Sequence, residues 1–196
     1  MTRITAGRYR GRILQTPKAG TVTRPTGEKV RAALANSLQA AGGLAGATVL
    51  DLFAGTGALG LELVSRGAAR AVLVESDRGA LALLRANVEA LGAPATVVAG
   101  TVAGYLAASR GPFDVVVADP PYDYPGADLT GVLAALVTGG SLVTGADVVV
   151  ERSVRSGEID WPAGLTPVRS KRYGDTVLHY AAAEPPRLIT GTEQAG

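Results

Sequence analysis

Asp119-Pro120-Pro121-Tyr122 follows the apolar run Phe113-Asp114-Val115-Val116-Val117-Ala118, which reads as a buried parallel strand. The order sets a carboxylate at the strand's carboxyl-terminal edge. Two consecutive prolines restrict φ and remove two N–H donors, leaving the Asp119 side chain and the Pro120 carbonyl as acceptors facing a cleft. Tyr122 places an aromatic ring beside them. Such a set suits a planar base whose exocyclic NH2 donates one hydrogen bond to a carboxylate and one to a carbonyl while the ring stacks on its face. Taken alone, the tetrapeptide reads equally well as a proline-rich turn capped by an aspartate.

A second motif breaks that tie. In Val49-Leu50-Asp51-Leu52-Phe53-Ala54-Gly55-Thr56-Gly57-Ala58-Leu59-Gly60, a strand runs into a glycine-rich loop and then a helix. Gly55, Gly57 and Gly60 satisfy G-x-G-x-x-G, a pattern shared by dinucleotide sites and other nucleoside cofactors. Asp51, four positions before the first glycine, discriminates between them. An acid there would repel a pyrophosphate held at the helix N-terminus but would welcome a cation. S-adenosylmethionine carries an α-ammonium and a sulfonium, and the glycines let the backbone approach it closely. The next strand, Ala71-Val72-Leu73-Val74-Glu75, ends in a second carboxylate where a ribose would present its diol, and Glu75 can accept from both hydroxyls. A third strand, Ala95-Thr96-Val97-Val98-Ala99, leads to Gly100-Thr101, where an Asp or Asn would be the usual partner of an adenine amino group. Thr101 accepts only through its hydroxyl, so adenine recognition is expected to use backbone groups of Thr101 and Val102.

Strand-Asp-x-x-x-Gly-x-Gly, strand-Glu and strand-Asp-Pro-Pro-Tyr, in this order, resemble a class I S-adenosylmethionine-dependent amino-methyltransferase. Within that class the chain is similar to the RsmD family. The likeness is carried by Ile4 to Arg12, by Arg24-Pro25-Thr26 leading into Val30-Arg31-Ala32-Ala33-Leu34-Ala35-Asn36, and by Lys171-Arg172-Tyr173-Gly174-Asp175-Thr176. It covers roughly residues 3 to 182, and Thr101 is the main departure. The resemblance implies methylation of the N2 amino group of one guanine in small-subunit ribosomal RNA, and it adds Thr26 to the cofactor-binding residues. It also implies an α/β, Rossmann-like fold: a mostly parallel sheet with an antiparallel closing strand, helices on both faces and a small N-terminal β-hairpin.

The periodicity supplies elements able to carry these residues. Strands are expected near 3–8 and 11–16 as a hairpin, followed by a helix over 26–41 with Thr26 as its N-cap. A βαβ alternation follows: strand 47–51, helix 58–66, strand 71–75, helix 77–91, strand 95–99, helix 102–109 and strand 114–118. A helix near 127–137 precedes strand 147–151, and segments 166–173 and 176–182 form a closing antiparallel pair around Gly174. The chain thus divides into a basic arm over 1–25, a methyltransferase domain over 26–183 and a polar tail over 184–196 that has nothing to bury and is expected to be mobile.

With 196 residues, 47% of them hydrophobic, the chain can build one substantial core. Absence of cysteine excludes thiol catalysis, and with one histidine, His179, no metal is expected. His179 lies in the alternating run Thr176-Val177-Leu178-His179-Tyr180 and reads as a strand residue facing solvent or a neighbouring strand. No 18-residue apolar stretch or hydrophobic signal core is present, and together with the lack of disulfides this gives the expectation of a soluble cytoplasmic protein. The net charge of +2 conceals an asymmetry: residues 1–31 hold eight cations and the single acid Glu28, while the remainder sums to −5. A basic arm on an acidic body suits a polyanionic partner, here ribosomal RNA or an assembling small subunit, with Arg8, Arg10, Arg12 and Arg24 as phosphate contacts. The alternatives are a solvated tail or a hairpin packed on the body through Ile4, Tyr9, Ile13 and Leu14.

The expected chemistry is direct SN2 transfer from the sulfonium to the nitrogen of a flipped base, with no covalent enzyme intermediate. Asp119, Pro120, Pro121 and Tyr122 form the catalytic set, and positioning and electrostatics lower the barrier. Methylation of adenine N6 or cytosine N4 in DNA would use the same motif, but no target-recognition domain is visible. A nucleotide-binding oxidoreductase would leave Asp51 and the Asp-Pro-Pro-Tyr motif idle, and a non-catalytic RNA-binding module would explain the arm alone.

Overall fold

A computed structural model describes residues 2–17, 25–108 and 111–185. Its elements are β1 (Thr2–Arg3), β2 (Ile13–Leu14), α1 (Pro25–Ala40), β3 (Thr48–Asp51), α2 (Ala58–Ser65), β4 (Arg70–Glu75), α3 (Arg78–Leu91), β5 (Ala95–Ala99), α4 (Val102–Leu106), β6 (Phe113–Ala118), α5 (Gly126–Thr138), β7 (Leu142–Ser153), β8 (Leu165–Tyr173) and β9 (Thr176–Ala183). A short 3-10 turn spans Val154–Ser156.

Seven strands form one sheet in the order β5-β4-β3-β6-β7-β9-β8. Neighbours from β5 through β7 are parallel, while β9 runs antiparallel to both β7 and β8. The order reverses beside β3: the chain winds outward through β4 and β5, then returns to place β6 on the other flank. Ligands of open α/β sheets bind at such a switch point, outside the carboxyl ends of the strands.

Alternation along the central strands feeds two cores. Val49, Val115, Val117 and Val149 face α1, α2 and α3, whereas Leu50, Val116, Ala118, Val148 and Val150 face α4 and α5. Because β3, β6 and β7 are covered on both sides, they read as nearly continuous apolar runs.

The N-terminal hairpin is shorter than the expected 3–8 and 11–16, with two residues in each strand. Side chains of α2 take the place of ladder partners. The buried Glu62 carboxylate accepts from the backbone N–H of Thr5 (2.8 Å) and Ala6 (3.2 Å) and from the Thr5 hydroxyl (2.6 Å), while the Ser65 hydroxyl accepts from Tyr9 N–H (2.9 Å). Ile4 and Leu14 join the same core as Val30 and Leu34 of α1. The solvated-tail alternative therefore fails for residues 2–17. Glu62 is balanced by Arg66 at 2.7 Å and Arg31 at 3.7 Å, so Arg31, counted with the arm's cations by its sequence position, is a buried structural partner.

Other boundaries move as well. Helix α1 opens at Pro25, whose fixed φ suits the first helical position, so Thr26 lies inside the first turn and is not the N-cap. Strand β7 begins at Leu142, five residues before the expected start. Phe113 pairs with Leu142 ahead of an irregularity in the ladder, and the positive-φ Gly145 (78°) lets the strand continue through a stretch that reads as loop. Helix α4 stops at Leu106. Gly174, at φ 61°, makes the tight β8–β9 connection. Of the 184–196 tail, Glu184 donates its backbone N–H to Gly164 (2.9 Å), and residues 186–196 lie outside the described set.

Asn87 on α3 ties the hairpin to the glycine-rich loop. Its side chain accepts from Gln15 N–H (2.7 Å) and donates to the carbonyls of Gln15 (3.0 Å) and Thr56 (2.9 Å). The residue is 1% exposed, so removing it strands buried groups on both segments. Asn87→Ala is expected to lower unfolding free energy by about 2 kcal/mol, measured by urea denaturation. An effect below about 0.5 kcal/mol would show that this bridge is dispensable.

Candidate active site

Asp51 ends β3 at 1% exposure, directly under the first turn of α2. Gly60 makes that approach possible: a Cβ there would lie 2.3 Å from Leu73 Cδ2 and 3.2 Å from Asp51 Oδ2. Without it, Gly60 N–H donates to Asp51 Oδ2 at 3.0 Å. The other oxygen, Oδ1, is buried and has no hydrogen-bond partner. Dehydration pushes the Asp51 carboxyl up to about 7, against the pull of the Gly60 and Phe53 backbone N–H groups and with added repulsion from Asp119 and Glu75. A buried carboxylate with one oxygen unmet is a receptor for a cationic donor.

Glu75, at the end of β4, grips the glycine-rich loop. One oxygen accepts from Gly55 N–H (2.7 Å), the other from Ser76 and Asp77 N–H (both 2.7 Å). Its carboxylate is locked in place and retains lone pairs for a diol. The loop turns tightly through Gly57, at φ 85°, where a Cβ would meet Leu84 Cδ1 at 2.5 Å. Above Gly55 nothing lies within 4 Å of a would-be Cβ, which leaves room for a ligand against the backbone. Thr101 and Val102 stand at the carboxyl edge of β5, two strands from Asp51. There the Thr101 hydroxyl caps α4 by accepting from Gly104 N–H at 3.1 Å, an interaction that engages the hydroxyl and not the backbone groups expected to serve adenine.

Asp51, Phe53, Ala54, Gly55, Thr56 and Asp119 line one cleft of about 630 Å³, closed on the far side by Gly27, Lys29 and Arg31 of α1. A neighbouring hollow of about 270 Å³ is lined by Asp119, Pro120, Pro121, Tyr122, Glu151, Arg152, Ser153 and Asp175. Gly27, Asp119 and Glu151 belong to both. Asp119 is open to the cleft, yet the walls around it dehydrate its carboxyl enough to push it up to about 6. Pro120 is buried, whereas Tyr122 is 59% exposed at the mouth. Tyr124 N–H donates to the Pro121 carbonyl (2.9 Å), its ring meets Phe53 edge-on at 5.2 Å, and its carbonyl accepts from Arg152 Nη2 (3.0 Å). These contacts fix the loop that carries the motif.

The cationic residues divide. Arg8 lies over the Tyr9 ring (4.8 Å), and its backbone N–H donates to the Ser65 carbonyl (2.8 Å); Arg12 Nη2 donates to the Ala90 carbonyl (2.8 Å). Ser65 and Ala90 close the C-terminal ends of α2 and α3, so Arg8, Arg10 and Arg12 sit at the opposite end of the sheet from Asp119. Arg24 lies outside the described residues. His179 faces β8, where its Nδ1 meets the Ser170 hydroxyl at 2.8 Å, and it is buried. Among the described residues no His/Cys/Asp/Glu group could hold a metal ion, and no helix is long and apolar enough to cross a membrane. Glu151, Arg152, Phe53 and Tyr124 escape the sequence reading. The first two had a signal, because they are the first charged residues after the apolar run Val148-Val149-Val150, although they lie within β7 and Asp119 lies beyond β6.

The comparisons agree with this architecture. The family model described as Conserved hypothetical protein 95 matches residues 2–182. Ribosomal RNA small subunit methyltransferase D of Escherichia coli K12 is 38% identical over 173 residues, covering 88% of this chain and 85% of that protein. A solved Escherichia coli structure designated a methyltransferase, yhhF, superposes with TM-score 0.82 at 34% identity, covering 94% of this chain and 98% of that one. A hypothetical protein of Thermus thermophilus gives TM-score 0.76 at 31% identity, over 94% of this chain and 100% of that one. A match across nearly the whole length, onto a class I methyltransferase sheet with its strand ends and glycine-rich loop in place, shows that the chain belongs to the Conserved hypothetical protein 95 family, the RsmD family.

Proposed function

We propose that the protein transfers a methyl group from S-adenosylmethionine to the exocyclic N2 amino group of one guanine in small-subunit ribosomal RNA. One observation carries the reading: the unmet buried oxygen of Asp51 and the Asp119-Pro120-Pro121-Tyr122 set belong to adjoining hollows that share Asp119. A cation receptor and an amine receptor therefore stand side by side.

The residues present fit the cofactor. Asp51 Oδ1 offers an acceptor to its ammonium, Gly55 and Gly57 offer close backbone approach, and Glu75 offers acceptors to the ribose diol, with Thr26, Thr101 and Val102 completing the site. Because the Thr101 hydroxyl is held as a helix cap, its share in adenine recognition falls to its backbone and to that of Val102. When bound, the cofactor supplies an electrophilic methyl group on a cationic sulfur.

The chain's own residues act on the acceptor. An arylamine is a poor nucleophile because its lone pair is delocalised into the ring. Asp119 and the Pro120 carbonyl accept its two N–H bonds, favour a pyramidal nitrogen and aim the lone pair toward the cofactor cleft, an alignment that can supply several kcal/mol. Tyr122 offers its exposed ring as a stacking face for a base flipped out of the RNA. The proton released leaves through Asp119 or directly to solvent.

Labelled S-adenosylmethionine incubated with small subunits lacking the modification tests the reading. Label is expected on a single nucleotide, recovered as N2-methylguanine. Label on another base, or on none, would overturn it.

The arm is proposed to grip RNA away from the target base, in the cytoplasm where subunits assemble. Replacing Arg8, Arg10 and Arg12 with Ser should flatten the dependence of log affinity on log salt by about 0.7 to 0.9 per lost phosphate contact while cofactor affinity holds. An unchanged slope in a filter-binding series would move the grip elsewhere, with Arg169, Lys171 and Arg172 on the exposed β8 as the next test.

A further inference from the structure

Methyl transfer to an amino group leaves open how the site tells guanine from adenine or cytosine, which offer amines of similar geometry. The register of β6 and β7 bears on this. Their last parallel pair is Ala118 with Val150, and both side chains enter the core beside α4 and α5. One step further along each strand come Asp119 and Glu151. In-register residues of parallel neighbours project to the same face, so the two carboxylates stand next to each other, and both line the cofactor cleft and the adjoining hollow. Arg152, the next residue, also lines the hollow, with its Nη2 held by the Tyr124 carbonyl (3.0 Å).

We infer that Glu151 is the specificity-determining residue of the target pocket, accepting the N1–H of guanine beside the N2 amine held by Asp119. The inference rests on the guanine-N2 reading and deepens it. Guanine's Watson–Crick edge presents contiguous donors, N2–H and N1–H, followed by the O6 acceptor. Two neighbouring carboxylates are the complement of the two contiguous donors. Adenine and cytosine present an amine followed by a ring-nitrogen acceptor, N1 or N3, and that lone pair would face the Glu151 carboxylate. Acceptor against acceptor costs a hydrogen bond and adds repulsion, and a site built to receive a donor rejects an analogue lacking it far more strongly than an apolar pocket could.

The experiment compares an RNA carrying guanosine at the methylated position with the same RNA carrying 2-aminopurine riboside there. The analogue keeps the amine to be methylated but turns N1 into an acceptor. Wild type is expected to prefer guanosine in kcat/KM by about a hundredfold or more. In Glu151→Gln the amide can donate to N1, so guanosine use falls and the preference narrows by about tenfold or more, measured at saturating cofactor. Should the variant turn over neither RNA, 2-aminopurine fluorescence on binding, competed by the guanosine RNA, gives the same preference without chemistry. A preference unchanged by the substitution, with guanosine still methylated by wild type, would overturn the role of Glu151 alone. Failure of wild type to methylate the guanosine RNA would overturn the underlying reading and this inference with it.

Discussion

Asp119→Ala is expected to lower single-turnover methyl transfer by at least about a hundredfold, roughly 3 kcal/mol in the barrier, while leaving S-adenosylmethionine affinity nearly unchanged. The carboxylate receives the target amine, so its loss removes an acceptor that aligns the nitrogen lone pair, and Pro120 alone cannot hold both N–H bonds. Because dehydration raises the Asp119 carboxyl to about 6, the working ionised form is lost on mild acidification. Single-turnover rate should therefore climb with pH, reach half its plateau near 6 and level off above about 7. Asp119→Asn keeps the shape and one acceptor but has no titratable proton, so its slower rate should be flat through that window. A wild-type-like rate in Asp119→Ala, or an unchanged pH profile in Asp119→Asn, would remove Asp119 from the chemistry.

Asp51→Asn is expected to weaken S-adenosylmethionine binding by about a hundredfold, near 3 kcal/mol, because a buried charged pair loses one partner. In wild type the free carboxyl sits near 7, and only its ionised form attracts an ammonium. Affinity measured by calorimetry should accordingly fall by up to about tenfold per unit of pH below 7, and this dependence should vanish in the variant. Stability moves the other way. A folded-state value raised above the ordinary carboxylate range means that the folded apo chain holds its proton more tightly than the unfolded chain. The Asp51 contribution to stability is then lost as pH rises from about 4 to 7. Asp51→Asn, neutral throughout, should melt at or above the wild-type temperature at pH 8 without cofactor. Weaker binding together with unchanged or higher melting would separate a site residue from a scaffold residue; unaltered affinity would sink the assignment of the cofactor cleft.

The sequence alone determined the alternation of strands and helices and the carboxylates that close three strands. Val-Leu-Asp, Leu-Val-Glu and Val-Val-Ala-Asp are apolar runs stopped by an acid. Such runs belong to strands covered on both faces, and an acid at their carboxyl ends leaves the apolar core for the cleft at the sheet edge. The βαβ alternation and the closing antiparallel pair followed from that pattern and from Gly174, and the resemblance made the sheet a class I one. Hairpin length, the start of β7 and the beginning of α1 did not follow. The first two depended on partners distant in the chain, Glu62 and Ser65 for the arm and Phe113 for Leu142, whereas α1 begins where Pro25 fixes φ.

Tertiary structure decided which residues share a site and how they are charged. That Arg31 is a buried counterion to Glu62, that Asn87 links the hairpin to the glycine-rich loop, and that Glu151 stands beside Asp119 depend on how β3, β6, β7 and the helices are juxtaposed. The raised carboxyls of Asp51 and Asp119 have the same origin. Local sequence sets which group is ionisable, but burial and the neighbours brought in from other segments set how tightly it holds its proton.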